Sequence, residues 1–249
     1  MNNQEVEYYL NNIQIESYLD LISEEILNEK AFFVSTKMKK ILSDTPKVTK
    51  KEFIKRSQEC DIITTFTPKK LIDKFTAVKI TATIMASLQR SPYTTSKIVL
   101  NNNEVGGYGI LPRETMAGSG LEIVPIKKAI GPRAELCLIR MPKVSDTKKK
   151  IIVKYIRKRE GLDYARLDLY KTLWDRLTNR KMFSFMNDRS TDPKIIKKIF
   201  LPLICSTIIS TIFFALDKIK FNGKNPYDVW PKDFVLDDRT EKICRVDYS

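Results

Sequence analysis

Apolar and polar positions alternate with several different periods along the chain, and the periods divide it. From residue 18, Tyr18, Leu19, Ile22 and Ile26 recur at helical spacing, with Asp20, Glu24 and Glu25 on other faces. The pattern predicts an amphipathic helix within 1–29. Residues 30–90 read as mostly helical, interrupted near Pro46 and Pro68. Ser43-Asp44-Thr45-Pro46 and Thr67-Pro68 resemble helix starts, with a cap residue ahead of proline.

Residues 91–142 change in kind. They hold six of the eight glycines, with prolines at 92, 112, 125, 132 and 142. Between the breaks lie short β-favouring runs: Lys97–Leu100, Leu121–Ile126 and Leu136–Met141. After Gly161, Leu162, Ala165, Leu169, Leu173 and Leu177 return to spacings of three and four, an amphipathic helix. Asp188 to Pro193 reads as a turn. Ile199 to Leu216 is eighteen residues without a charge, a length compatible with a buried core helix or a membrane span. Pro202 and the hydroxyls of Ser206, Thr207, Ser210 and Thr211 speak for the core. Turn chemistry at Asn222-Gly223, Asn225-Pro226 and Trp230-Pro231 then predicts a wrapping tail ending in a short strand at Ile243–Val246.

The fold class expected from these patterns is α+β, predominantly α-helical with a small Gly/Pro-rich β-containing insert. Its expected segments are an acidic helical arm (1–29), a helical segment (30–90), a strand-and-loop segment (91–142), a basic stretch with helices (143–220) and a wrapping tail (221–249).

Charge adds a partner class. The 249 residues carry 44 Lys+Arg against 30 Asp+Glu, a net +14. Residues 1–29 hold seven acids and no Lys or Arg, so the body carries +21. Such an excess points to a dense polyanion: nucleic acid or an anionic membrane face. The cations are densest at 148–159, where Lys148, Lys149, Lys150, Lys154, Arg157, Lys158 and Arg159 fill seven of twelve positions. If helical, Lys150, Lys154, Arg157 and Lys158 share one face and can meet successive phosphates. Tyr155 is a candidate to stack on a base. Contacts of this kind carry no sequence information. The acidic 1–29 segment can then dock on the basic body in place of RNA, or on another subunit of a homo-oligomer or larger complex.

Candidate chemistry is sparse. Histidine is absent, which removes Ser-His-Asp and Cys-His catalysis and histidine-bearing zinc sites. Cys60, Cys137, Cys205 and Cys244 lie tens of residues apart with no CxxC pair, so a reducing, intracellular setting is expected and no metal or other cofactor is called for. The glycine island, Val105 to Arg113 and then Ala117 to Gly120, fits neither GxGxxG nor GxxxxGK[ST]. It reads either as tight turns joining strands or as an anion nest, with Gly107, Gly109, Gly118 and Ser119 offering amides and Arg113 adding charge. Asp237-Asp238, Asp61 and Asp73 are too dispersed for a two-metal centre, and the adjacent pair reads as a surface turn.

The stretch from Lys97 to Pro125, including KIVLNNNEVGGYGILPRETMAGSG, resembles the region following the palm in RNA-dependent RNA polymerases of segmented double-stranded RNA viruses. There an apolar strand precedes a Gly-Gly-x-Gly-x-x-Pro turn and a Gly-Ser turn. That family's catalytic Gly-Asp-Asp turn is absent here. The resemblance therefore implies a noncatalytic thumb or bracelet piece surrounding RNA, placed in host cytoplasm or virion interior; any enzyme it formed part of would be the polymerase. A nucleoprotein-like RNA binder is equally compatible. A membrane-associated matrix or movement-type protein is the competing expectation, carried by the basic charge and the 199–216 run.

Overall fold

The computed structural model describes residues 35–66, 93, 95–108, 120–130, 135–162 and 205–247. Its centre is a six-stranded antiparallel sheet: β1 (Ile62–Phe66), β2 (Thr95–Val99), β3 (Glu104–Tyr108), β4 (Leu121–Pro125), β5 (Glu135–Arg140) and β6 (Glu241–Val246). The strand order is β4-β3-β2-β1-β5-β6. Six α-helices accompany it among the described residues: α1 (Thr36–Asp44), α2 (Lys50–Arg56), α3 (Ile126–Ala129), α4 (Asp146–Arg157), α5 (Cys205–Asp217) and α6 (Pro231–Leu236).

This sheet overturns the expectation of a helical protein with a small β insert. Three of the predicted strand runs became β2, β4 and β5, and the predicted tail strand became β6. The error lay in β1 and in long-range pairing. β1 falls within a segment read as helical, yet it occupies the middle of the sheet, between β2 and β5. A five-residue run such as Ile62-Ile63-Thr64-Thr65-Phe66 is too short for periodicity to separate strand from buried helix. Local pattern also says nothing of partners about 30 to 77 residues away.

Strand alternation sorts the side chains into two cores. Ile62, Ile98, Leu100, Cys137 and Ile139 enter the larger core, with α4, α5, α6 and Met38 of α1. Ile63, Val99, Val105, Leu136, Leu138, Cys244 and Val246 enter the second, with Phe53 of α2 and Ile126 of α3. Both faces of the sheet are therefore covered by helices. This explains why its strands read as apolar runs rather than as clean alternation. The β6 edge is closed by the 46–48 segment: the Val48 amide donates to the Arg245 carbonyl (2.9 Å) and the Arg245 amide to the Pro46 carbonyl (2.8 Å).

Helix ends follow local chemistry. Ser35, Thr49 and Ser145 each cap a helix, accepting from the amides of Met38, Glu52 and Lys148. Ser43-Asp44-Thr45-Pro46, read as a helix start, is instead the end of α1: the Thr45 amide and hydroxyl both donate to the Ile41 carbonyl. Thr67-Pro68, the 162–177 helix beyond Leu162, the 188–193 turn and the acidic 1–29 segment lie outside the described residues.

The uncharged 199–216 run contributes α5. Every residue from Cys205 to Ala215 is buried, hydroxyls included. Ser206 and Ser210 donate to the carbonyls of Val229 (2.5 Å) and Pro226, and Thr211 to that of Ile208 (3.1 Å). These bonds make the polar residues of a fully enclosed helix tolerable. Among the described residues no helix is long and apolar enough to cross a membrane.

Candidate nucleic-acid interface

The basic stretch folds as α4, and its cations separate into distinct roles. Ile152, Tyr155 and Ile156 face the larger core. This pins the helix with Lys150, Lys154, Arg157 and Lys158 turned outward, as helical spacing predicts. These four residues, with Val153 and Glu59, line an open groove of about 540 Å³. From Lys150 to Lys158 the groove follows about 12 Å of helix axis. A stacked nucleic-acid strand places about three or four phosphates along that length, at roughly 3.4 Å per charge.

Among the described residues, Lys150, Lys154 and Lys158 make no ion pair or hydrogen bond. Arg157 differs. Its Nη2 donates to Glu104 Oε2 at 2.5 Å, with both side chains about two-fifths exposed. The same carboxylate oxygen accepts from Asn101 Nδ2 at 2.7 Å. These hydrogen bonds, Arg157's first, hold the Glu104 carboxyl below its ordinary range.

The remaining predicted cations are otherwise engaged. Lys148 pairs with Asp217 at the end of α5, and Lys149 pairs with Asp146 at 3.3 Å. Arg159 is buried, with its guanidinium carbon 3.5 Å above the Tyr155 ring centroid. Tyr155 is itself enclosed beneath it, and its hydroxyl lies 3.4 Å from Thr211 Oγ1. Burial pushes the Tyr155 phenol up. Tyr155 thus ties α4 to α5, with Arg159 packed on its ring and both side chains buried.

The glycine island divides as well. Gly107 is a buried residue of β3, paired with Glu122 of β4, and belongs to no loop. A Cβ there would meet Lys97 Cγ at 2.7 Å, so glycine makes room for the lysine stem on the neighbouring strand. Gly109, Arg113, Gly118 and Ser119 lie outside the described residues.

Several groove residues escaped the sequence reading. Glu59, just ahead of β1, also lines an adjoining groove of about 490 Å³ with Asn101, Asn102, Asn103 and Glu104. The three asparagines form the β2–β3 turn: Asn101 Oδ1 accepts from the amides of Asn103 (2.8 Å) and Glu104 (2.9 Å). An asparagine run between two β-favouring stretches is a turn signal, but nothing in the sequence places that turn beside residues 150–158.

Of the dispersed acids, Asp61 and Asp237 are structural, and Asp73 lies outside the described residues. Asp61 is almost wholly buried and takes both guanidinium arms of Arg140 at 2.8 Å. Asp237, expected at a surface turn, is also buried, holding Arg239 and the Asn222 amide. No cluster of three metal-ligating side chains occurs among the described residues. No family model and no curated protein matches this chain.

Proposed function

We propose that this chain is a noncatalytic RNA-binding protein that holds RNA by phosphate contacts along α4. The observation that carries the reading is the convergence on one open groove of Arg157 with Lys150, Lys154 and Lys158, three lysines unpaired among the described residues. Cations so placed meet a phosphate backbone without first breaking an internal pair. The +21 body supplies long-range attraction. The resemblance of Lys97–Pro125 to polymerase segments that surround RNA favours RNA over another polyanion.

The test is a salt titration of the protein with a fluorescent single-stranded RNA, read by anisotropy. Three lysine–phosphate contacts at about 0.7 each give a log–log slope of about −2, or about a 20-fold loss of affinity between 50 and 200 mM salt. Lys150→Gln/Lys154→Gln/Lys158→Gln should flatten the slope towards zero. Lys127→Gln/Lys128→Gln, exposed on α3 across the sheet, should leave it near −2. Absence of binding at low salt, or an equal effect of the two variants, would overturn the proposal.

A further inference from the structure

We infer that the ligand of the α4 groove is single-stranded, with its backbone on α4 and its base edges on the β2–β3 turn, where Glu59, Asn102 and Asn103 favour guanine over uracil. The inference rests on the RNA reading above and assigns the second groove a role in it.

The two grooves share Glu59 and so adjoin. Their linings differ in sign. Four cations line the first. Among the described residues the second has no cation, and its lining is three carboxamides and the carboxylates of Glu59 and Glu104. Phosphates are attracted to the first and repelled from the second. A strand lying on α4 therefore turns its uncharged edge towards Asn101–Asn103.

The side chains there suit such an edge. Asn101 is consumed by the turn and by Glu104. Asn102 and Asn103 are exposed, and their carboxamides make no bond among the described residues. Each offers donors and an acceptor together. Glu59 likewise makes no hydrogen bond or ion pair among the described residues, and a carboxylate only accepts. It calls for two adjacent N–H donors. Guanine presents N1–H and N2–H side by side on its Watson–Crick edge, whereas uracil presents a single N–H between two carbonyls. In a duplex that edge is already paired, which restricts the contact to single strands. Glu104 ties the two halves together, bonded both to the turn through Asn101 and to α4 through Arg157.

The experiment compares, by anisotropy at fixed salt, a twelve-nucleotide oligouridylate, the same oligomer with guanosine at every third position, and the latter annealed to its complement. The guanosine-containing strand should bind about five-fold more tightly than oligouridylate, the lower end for a bidentate base contact because the groove is open to water. The duplex should bind more weakly than the guanosine-containing strand. Glu59→Gln and Asn102→Ala/Asn103→Ala should each bring the guanosine-to-uridine ratio close to one. Lys154→Gln should weaken both strands and keep the ratio. Equal binding of the two strands, a ratio that survives both turn variants, or a duplex as tight as the single strand would overturn the inference while leaving phosphate binding standing. If none of the three RNAs binds, the RNA reading itself falls and this inference with it.

Discussion

Gly106 joins the sheet to the helix that carries the groove, and replacing it with alanine probes that joint. A Cβ on Gly106 would sit 2.5 Å from Ile156 Cγ2 on α4 and 3.2 Å from Leu100 Cδ1. Carbon atoms rest at about 3.5–4.0 Å, so the shortfall against Ile156 is about 1 Å. Ile156 is fully enclosed, and relief requires an off-rotamer side chain or a lift of α4 from the sheet. Overpacking of this sort costs about 1–3 kcal/mol. Alanine recovers about 0.5–1 kcal/mol over glycine within a strand, which leaves Gly106→Ala destabilised by about 1–2 kcal/mol. Ile156→Ala alone should cost about 2–5 kcal/mol through the cavity it opens. In the double variant the new methyl enters that space. The combined loss should then fall short of the sum by about 1–2 kcal/mol, beyond the additivity expected of independent sites. Urea unfolding of the four proteins, with midpoint and slope both fitted, measures the coupling. A coupling within about 0.5 kcal/mol of zero, or a Gly106→Ala protein as stable as the parent, would refute the close approach of β3 and α4.

Two further outcomes follow from buried groups. Arg140→Ala leaves Asp61 enclosed without its guanidinium partner and should lower stability by about 3–5 kcal/mol near neutral pH. Burial raises the Asp61 carboxyl above its ordinary 3.8 even against the bonds from Arg140. A raised acid favours the folded state below its unfolded pKa, and that contribution is lost as pH rises through the folded pKa. The variant should therefore lie closest to the parent below pH 3.8 and fall behind as pH rises; a deficit independent of pH would count against Asp61 as its source. Burial also pushes the thiols of Cys60 and Cys137 up to about 12 and that of Cys244 to about 11. Iodoacetamide at pH 8 should leave these three unlabelled in the native protein and modify them in urea, since the thiolate is the reacting species. Mass spectrometric detection of adducts on any of them without denaturant would contradict the packing.

What could be read from the chain alone was local. The spacing of Lys150, Lys154, Arg157 and Lys158 placed them on one face because a helix repeats every 3.6 residues, and the structure keeps them there. The short runs at 97–100, 121–126, 136–141 and 243–246 marked strands because breakers and β-branched residues act over a few positions. The uncharged run around α5 announced a helix apolar all round, and its serines and threonines argued for a protein core. Charge totals needed no fold at all.

The sheet itself needed the tertiary structure. β1 is five residues that become a strand because β2 and β5 supply partners on both sides, and no periodicity within five residues encodes that. The same distance effect decided which cations stay free. Lys148 and Arg157 have adjacent roles in the sequence pattern, yet Asp217 claims one and Glu104 the other. Tyr155 and Arg159, both buried, stack on each other, and Tyr155 meets Thr211 of α5, more than 50 residues away in sequence. Glu59 and the asparagine turn join the basic helix from 90 and about 50 residues away in sequence. Charge and period are properties of neighbours along the chain. Pairing, burial and the shape of a groove belong to neighbours in space, and only folding brings those together.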